Sequence, residues 1–274
     1  MSRISRLYES LITASLNGVP PWLPPAVQRF YINLNGYERA EAVRRLVGDK
    51  HRVLLVGDAG GRDYYFLRLA GKSVVVADIA MQSNLPDLIL ADAARGLPFP
   101  PASFDAVVMA DVLEHFLCDV DALAQVRAVL RDDGYLILTV PYYHDASRTH
   151  VRLHSPATLE RLLAAAGFRI VECVERGGLM NLERLRFWPW LWHGLHFLLW
   201  KLTGRTQYRP LLRVLVGVDW WLGRRRFRPL GWTAYYGGQL RCQKARPVDF
   251  HQQNVEDFTD RINRVTGQHQ RCDA

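Results

Sequence analysis

From residue 36 to residue 177, short apolar runs alternate with segments of helical periodicity. The runs at Arg52 to Gly57, Ser73 to Asp78, Asp87 to Ala91, Phe104 to Ala110, Tyr135 to Val140 and Phe168 to Val174 are rich in Val, Leu and Ile and predict six strands. Between them, Ala40, Val43, Leu46 and Val47 fall at helical spacing, so Gly36 to Val47 predicts a helix stopped by Gly48-Asp49. Arg62 to Ala70 predicts a second helix, and a third follows strand four through Leu130. Ser155 as N-cap with Pro156 at the first position opens a fourth, which runs to Ala166. Asp111-Val-Leu-Glu114 has the spacing of a capping box, and Asp132-Asp-Gly134 predicts the turn into strand five. Strands that are apolar throughout, separated by helices, indicate an α/β fold with a mostly parallel sheet covered on both faces.

Outside this stretch the pattern changes. Residues 1–35 read as a short amphipathic helix, a break at Pro20, Pro21, Pro24 and Pro25, and a second short helix around Ala26 to Asn33. After Gly177 the chain is dense in Trp and Leu from Phe187 to Leu202, and apolar again from Leu211 to Leu222. Strand-like sequence returns at Thr233 to Cys242, and the polar tail from Lys244 carries one predicted helix, Val255 to Val265.

The first strand ends in Gly57-Asp-Ala-Gly60-Gly61 and a helix begins directly after it. In that order, backbone N–H groups and a helix N-terminus can hold a polar ligand, and glycine permits close backbone approach. Asp78 closes the next strand, about 20 residues on, where an acid commonly grips a ribose.

Bulk composition narrows the function classes. The 274-residue chain is 49% hydrophobic and 23% charged, which excludes disorder. Cys118, Cys173, Cys242 and Cys272 are scattered without a CxxC pair, which fits a reducing compartment and no disulfide framework. No signal peptide is apparent, since Glu9, Ser10 and Thr13 interrupt the apolar stretch after Arg3 and Arg6. The net charge of +8 is local: Arg184 to Trp232 holds ten Lys and Arg against one acid, Asp219.

Val53 to Gly61, Asp78, Asp92, the run Leu97 to Phe116 that includes Asp111-Val-Leu-Glu-His115, Asp132 to Pro141, and His154 to Phe168 together resemble the class I S-adenosylmethionine-dependent methyltransferases. The likeness is to small-molecule enzymes of methyltransferase type 11, over about residues 36–176 and the strand near 233–243. It implies a Rossmann-like, seven-stranded, mostly parallel sheet with an antiparallel last strand, and a helical insertion before that strand. The domain reading is then a helical extension (1–35), a methyltransferase core (36–177 and 233–245), a basic Trp-rich helical insertion (178–232) and a polar tail (246–274).

The resemblance also implies cofactor roles. Gly57, Asp58, Gly60 and Gly61 would hold the methionine part. Asp78, with Ile79 beside it, would take the ribose hydroxyls, Asp92 and Ala93 would sit by the adenine, and Ala110 and Asp111 would flank the methionine carboxyl or the substrate. Two positions depart from the family: Leu55 stands where an acid is usual, and Ala59 replaces the middle glycine.

Histidines supply the candidate bases. His144 follows strand five, and His150 and His154 precede the next helix, in loops at the carboxyl ends of strands where an α/β sheet places its ligands. As a metal set these three lack compact spacing, so no metal is expected. Glu114 and His115 read either as a catalytic pair or as part of the capping box. The Trp-rich segment is too short and too interrupted to span a membrane, with Pro189, His193, His196 and Lys201 inside it. Trp188, Trp192, Leu195, Leu199 and Leu202 would share one helical face. Six of the eight Trp lie between residues 188 and 221 beside Arg205, Arg209, Arg213 and Arg224 to Arg226. That combination suits a membrane interface with anionic headgroups, a lid over the site, or nucleic acid. The leading expectation is methyl transfer to an amphipathic or lipid-linked small molecule by a cytoplasmic protein, peripheral at the inner face of the membrane. The alternatives are a non-catalytic membrane-associated protein that retains the fold, and an RNA or DNA methyltransferase.

Overall fold

The computed structural model describes residues 34–58, 61–80, 85–142, 148–176, 188–203, 209–225 and 237–266. The predicted N-terminal helices lie outside these residues. In chain order the elements are α1 (Leu34–Val47), β1 (Arg52–Val56), α2 (Arg62–Leu69), β2 (Ser73–Asp78), β3 (Leu88–Leu90) and β4 (Phe104–Ala110). A 3-10 turn at Leu113–His115 leads to α3 (Asp119–Val129), β5 (Leu130–Pro141), α4 (Pro156–Ala165) and β6 (Phe168–Arg176). The rest is α5 (Trp188–Thr203), α6 (Arg209–Arg224), β7 (Gly237–Lys244) and α7 (Phe250–Thr266).

The seven strands form one sheet in the order β3-β2-β1-β4-β5-β7-β6. β1 to β5 pair in parallel, and β7 inserts antiparallel between β5 and β6. The expected seven-stranded, mostly parallel sheet with an antiparallel last strand is therefore present.

The side-chain alternation of each strand builds two apolar layers. Val53, Leu55, Val74, Val76, Ala106, Val108 and Ile137 meet Val43, Leu46 and Val47 of α1 and Tyr64 and Leu67 of α2. Leu54, Val56, Val107, Met109, Leu136 and Leu138 meet Ala122, Leu123 and Val126 of α3 and Leu159 and Leu163 of α4. With both faces covered, the inner strands β1, β2 and β4 carry no polar face, as their continuous apolar runs required, whereas β7 alternates Leu240 and Cys242 with Gln239 and Arg241. Each such Leu or Val contributes about 1.5–3 kcal/mol by leaving water. Ser155 caps α4 as predicted: its hydroxyl accepts the Thr158 N–H, and the Thr158 hydroxyl accepts the Ser155 N–H.

Three expectations need correction. Asp111 to Glu114 is not a capping box: Val112 precedes the 3-10 turn with no side-chain cap, because the Asp111 carboxylate is drawn into a charged network away from the turn. Asp132-Asp-Gly134 is not a separate turn. β5 runs through it, and the pairing with β4 steps from Phe104↔Leu130 to Ala106↔Tyr135, so the extra residues are absorbed as a bulge. The tail helix begins earlier than predicted, at Phe250.

Helix α6 is docked on the core. At Gly223 a Cβ would lie 2.2 Å from the Glu175 carbonyl oxygen, so only glycine lets α6 approach β6 this closely. Val216, Asp219 and Leu222 are buried, and Trp220 packs on the α1 layer with the Arg45 guanidinium 5.3 Å from its ring centre. The opposite side of α6 exposes Val214, Val218 and Trp221, and α5 exposes Leu191, Leu195, Leu198 and Leu202. Among the described residues, no helix is long and apolar enough to cross a membrane.

Candidate active site

The carboxyl ends of the parallel strands form one edge of the sheet, and the chemistry-bearing residues collect there. At the end of β1, Gly57 has φ 73° and Gly61 has φ 66°, both left-handed. A Cβ on Gly57 would lie 2.6 Å from Val112 Cγ2, so the turn can press against the end of β4 only because this residue is glycine. Asp58 is turned inward: its Oδ2 accepts the Tyr64 N–H at 2.7 Å and so caps the first turn of α2. Burial first, then the charge of Asp63, pushes the Asp58 carboxyl upward. Ala59 and Gly60 lie outside the described residues. Leu55 is wholly packed in the α1 layer.

Two polar atoms at the exit of this turn have no hydrogen-bond partner although buried: Arg62 Nε and Asp63 Oδ1. They are a cationic donor and an anionic acceptor on adjacent residues, at the positive end of α2. Burial lowers the Arg62 guanidinium, and Arg39 lowers it further. This pair is what the carboxylate and ammonium of an amino acid require. Together with the Gly57 cradle, it makes the turn a fit for the methionine end of S-adenosylmethionine.

Asp78 ends β2, is buried, and accepts the Ala80 N–H through Oδ1 at 3.1 Å. Ile79 beside it is 75% exposed, a bare apolar side chain next to a buried carboxylate. Asp92 follows β3, accepts the Ala94 N–H through Oδ1, and pairs through Oδ2 with Arg95. Ala93 is buried. These residues line the same edge as the Gly turn, since β1, β2 and β3 are parallel neighbours.

Ala110 and Asp111 end β4. Asp111 has φ 53°, a left-handed conformation that Asp tolerates better than most residues. The conformation is held from several sides. The Asp111 N–H donates to Thr139 O, the Thr139 hydroxyl donates to Oδ1 at 2.7 Å, and Arg176 Nη1 reaches both oxygens at 2.7 and 2.8 Å. Arg39 Nη1 adds a contact at 3.3 Å while its Nη2 holds Asp63 at 3.0 Å. Burial alone would raise Asp111, but Arg176 and Arg39 outweigh it and hold the carboxyl well below the usual range. Arg176 also donates to Glu38, which in turn accepts from Gln239. One buried network thus joins α1, α2, the end of β4, β5, β6 and β7. Arg39, Arg176, Glu38 and Gln239 were missed in the sequence. They are single polar residues, 65 or more positions from most of their partners, and no local spacing marks them.

The histidines separate. His144 lies outside the described residues. His154 is buried, with Asp119 and Arg152 as its charged neighbours, and burial lowers its pKa. His150 comes instead against Glu114 and His115. Its Nε2 is 3.9 Å from Glu114 Oε1, and its ring meets that of His115 edge-on at 4.6 Å. Burial first, then Asp111, pushes Glu114 up to about 8.

Comparison with known proteins follows the same lines. Residues 50–138 match a family described as a methyltransferase domain. The fold is similar to that of an S-adenosylmethionine-dependent methyltransferase from Archaeoglobus fulgidus, at 17% identity and a TM-score of 0.53, over 76% of this chain and 94% of that one. It is also similar to a chain of the solved Haloferax volcanii complex between the Trm112 methyltransferase activator and "the putative methyltransferase", at 16% identity and a TM-score of 0.50, over 78% and 91%. No curated protein matches the chain in sequence.

Proposed function

We propose that this chain, whose residues 50–138 match a methyltransferase domain, is a class I S-adenosylmethionine-dependent methyltransferase that methylates an amphipathic or lipid-linked small molecule at the inner face of the membrane. The cofactor supplies a methyl group on a positively charged sulfur, already a strong donor, so the protein's task is binding and alignment. In this reading Gly57 and Gly61 let the backbone approach the methionine end, and Arg62 and Asp63 meet its two charges where the family's usual acid is Leu55. Asp78 takes the ribose hydroxyls, Ile79 covers an adenine face, and Asp92 with Ala93 meets the adenine edge. Ala110 and Asp111 close the floor between cofactor and acceptor.

The observation that carries the membrane part is the two-sided character of α6. Its inner face reaches Glu175, one residue from the Arg176 that holds Asp111. Its outer face presents Val214, Val218 and Trp221, and α5 presents Leu191, Leu195, Leu198 and Leu202. Arg224 and Arg225 are exposed at the end of α6, with Arg225 4.6 Å from the Trp221 ring centre. Apolar faces edged by Arg suit insertion at the level of anionic headgroups. An acceptor partitioned in that layer would reach the crevice without crossing water.

Flotation with vesicles containing anionic lipid tests this. The protein should float at low salt, and a Val214→Ser, Val218→Ser, Trp221→Ser variant should not, while still binding S-adenosylhomocysteine. Wild-type protein that stays in the dense fraction, or that binds RNA in a salt-sensitive way without floating, overturns the membrane reading.

A further inference from the structure

We propose that Glu114, His115 and His150 form a binding site for a divalent transition-metal cation. The site stands on the acceptor side of the crevice, and the role given to it below rests on the methyltransferase reading. One ligand atom from each of the three residues can be chosen so that all lie within 4.8 Å of one another. No other group of three such residues among those described comes as close.

The geometry singles out Glu114. Its side chain is buried, and neither carboxylate oxygen has a hydrogen-bond partner. A buried carboxylate left in this state is costly, and natural proteins either pair it or give it to a metal. The backbone fixes its neighbours. The Val151 and Arg152 N–H groups both donate to the Glu114 carbonyl, at 3.0 and 3.2 Å, and so tie the loop that carries His150 against the turn that carries Glu114. His115 Nδ1 lies 3.0 Å from Thr149 O. A carbonyl only accepts, so Nδ1 carries the proton and the Nε2 lone pair is left for a ligand bond. This is the arrangement by which an outer hydrogen bond orients a metal-bound histidine.

The donor set names the class of ion. Two imidazoles and one carboxylate suit Zn²⁺, Co²⁺, Fe²⁺ or Mn²⁺ and are poor ligands for Mg²⁺ and Ca²⁺, which require mainly oxygen. Three protein ligands leave at least one coordination position open. His115 is exposed and His150 partly so, and the opening is therefore on their side, away from the buried Glu114. The turn follows Asp111 at the end of β4, and His150 follows β5, so the cation would stand at the carboxyl edge of the sheet, close in the chain to Asp111. There it would take a hydroxyl or phenol oxygen of the acceptor as a further ligand, lower the pKa of that oxygen, and fix its position. The acceptor class is thus an alcohol or phenol able to ligate a metal.

The test uses the whole chain, freed of metal by a chelator and titrated with Zn²⁺ and with Co²⁺. Calorimetry should show one Zn²⁺ per chain, and Co²⁺ should give visible absorption of a site with nitrogen and oxygen ligands. Glu114→Gln and His150→Ala should each weaken Zn²⁺ binding about 100-fold. Mg²⁺ at the same concentration should give no comparable heat. S-adenosylhomocysteine affinity should be unchanged in both variants, which also shows that they are folded. Absence of stoichiometric Zn²⁺ binding by wild type, or equal binding by both folded variants, overturns the metal site and leaves the cofactor reading untouched. Zn²⁺ binding without S-adenosylhomocysteine binding sinks the cofactor reading and leaves the metal site standing.

Discussion

At the carboxyl ends of β1, β2 and β3 the candidate site is shaped by backbone, whereas at the ends of β4, β5 and β6 it is shaped by charged side chains. On the first side, left-handed glycines, a helix N-terminus and acids at strand ends fall within a stretch of about 35 residues. On the second side, Asp111 is held by Arg39, Thr139 and Arg176, and Arg176 reaches on to Glu38, 138 positions away. Backbone shape survives most side-chain changes, and a buried ion network does not. The first side should therefore fail locally, by losing ligand, and the second globally, by losing the fold around it.

The largest expected effect is on the networked side. Arg176→Met leaves Asp111 and Glu38 without their shared cation, and breaking a buried pair from one side costs about 3–5 kcal/mol. Denaturant unfolding should show that loss. A change below about 1 kcal/mol would mean that the network does not hold this half together.

Gly57→Ala probes the backbone side. It forces a side chain onto a φ of 73° and against Val112, with an expected cost of about 2 kcal/mol. The sharper readout is S-adenosylhomocysteine affinity, which should fall more than stability alone explains. Equal affinity in a folded variant would remove the turn from the site.

Glu38 gives a pH signature to the network. Burial raises its carboxyl from 4.5 to about 7, against the lowering effect of Arg176 and Gln239 and with the help of Asp219 and Asp111. Between those values the native protein holds a proton that the unfolded chain releases. Its contribution is full below pH 4.5 and is lost as pH rises to about 7, with a slope of at most about 1.4 kcal/mol per pH unit. Glu38→Gln should flatten stability over that window. The same slope in the variant would assign the titration to another group.

The smallest effect is predicted at the outer face of α6. Val214→Ser and Trp221→Ser should change stability by about 0.5 kcal/mol or less, because both side chains face solvent. A larger loss in a melting curve would show that this face is covered within the protein.

Legibility in the sequence followed the same division. The strands could be read because burial on both faces leaves runs such as Leu54-Leu55-Val56 and Val107-Val108-Met109 with no polar position. Gly57, Gly61, Asp78 and Asp92 could be placed in the turn after β1 and at the ends of β2 and β3 because their spacing is local. The capping-box reading of Asp111 failed because a tertiary partner, Arg176, outcompetes the local N–H groups for its carboxylate. For the same reason Glu114 and His115 seemed to belong to a helix start, when a loop some 35 residues later supplies their neighbour His150. No periodicity encodes such a meeting; only the order of the strands does.

The proposed function stands or falls on whether the backbone-shaped half of the site binds S-adenosylmethionine through Asp78. Calorimetric titration of wild type and Asp78→Ala with S-adenosylmethionine tests it most directly. Wild type should bind one equivalent, and the variant, equally stable to denaturant, should bind about 10- to 100-fold more weakly, the worth of hydrogen bonds to a charged group. No saturable binding by wild type, or the same affinity in both proteins, would contradict it.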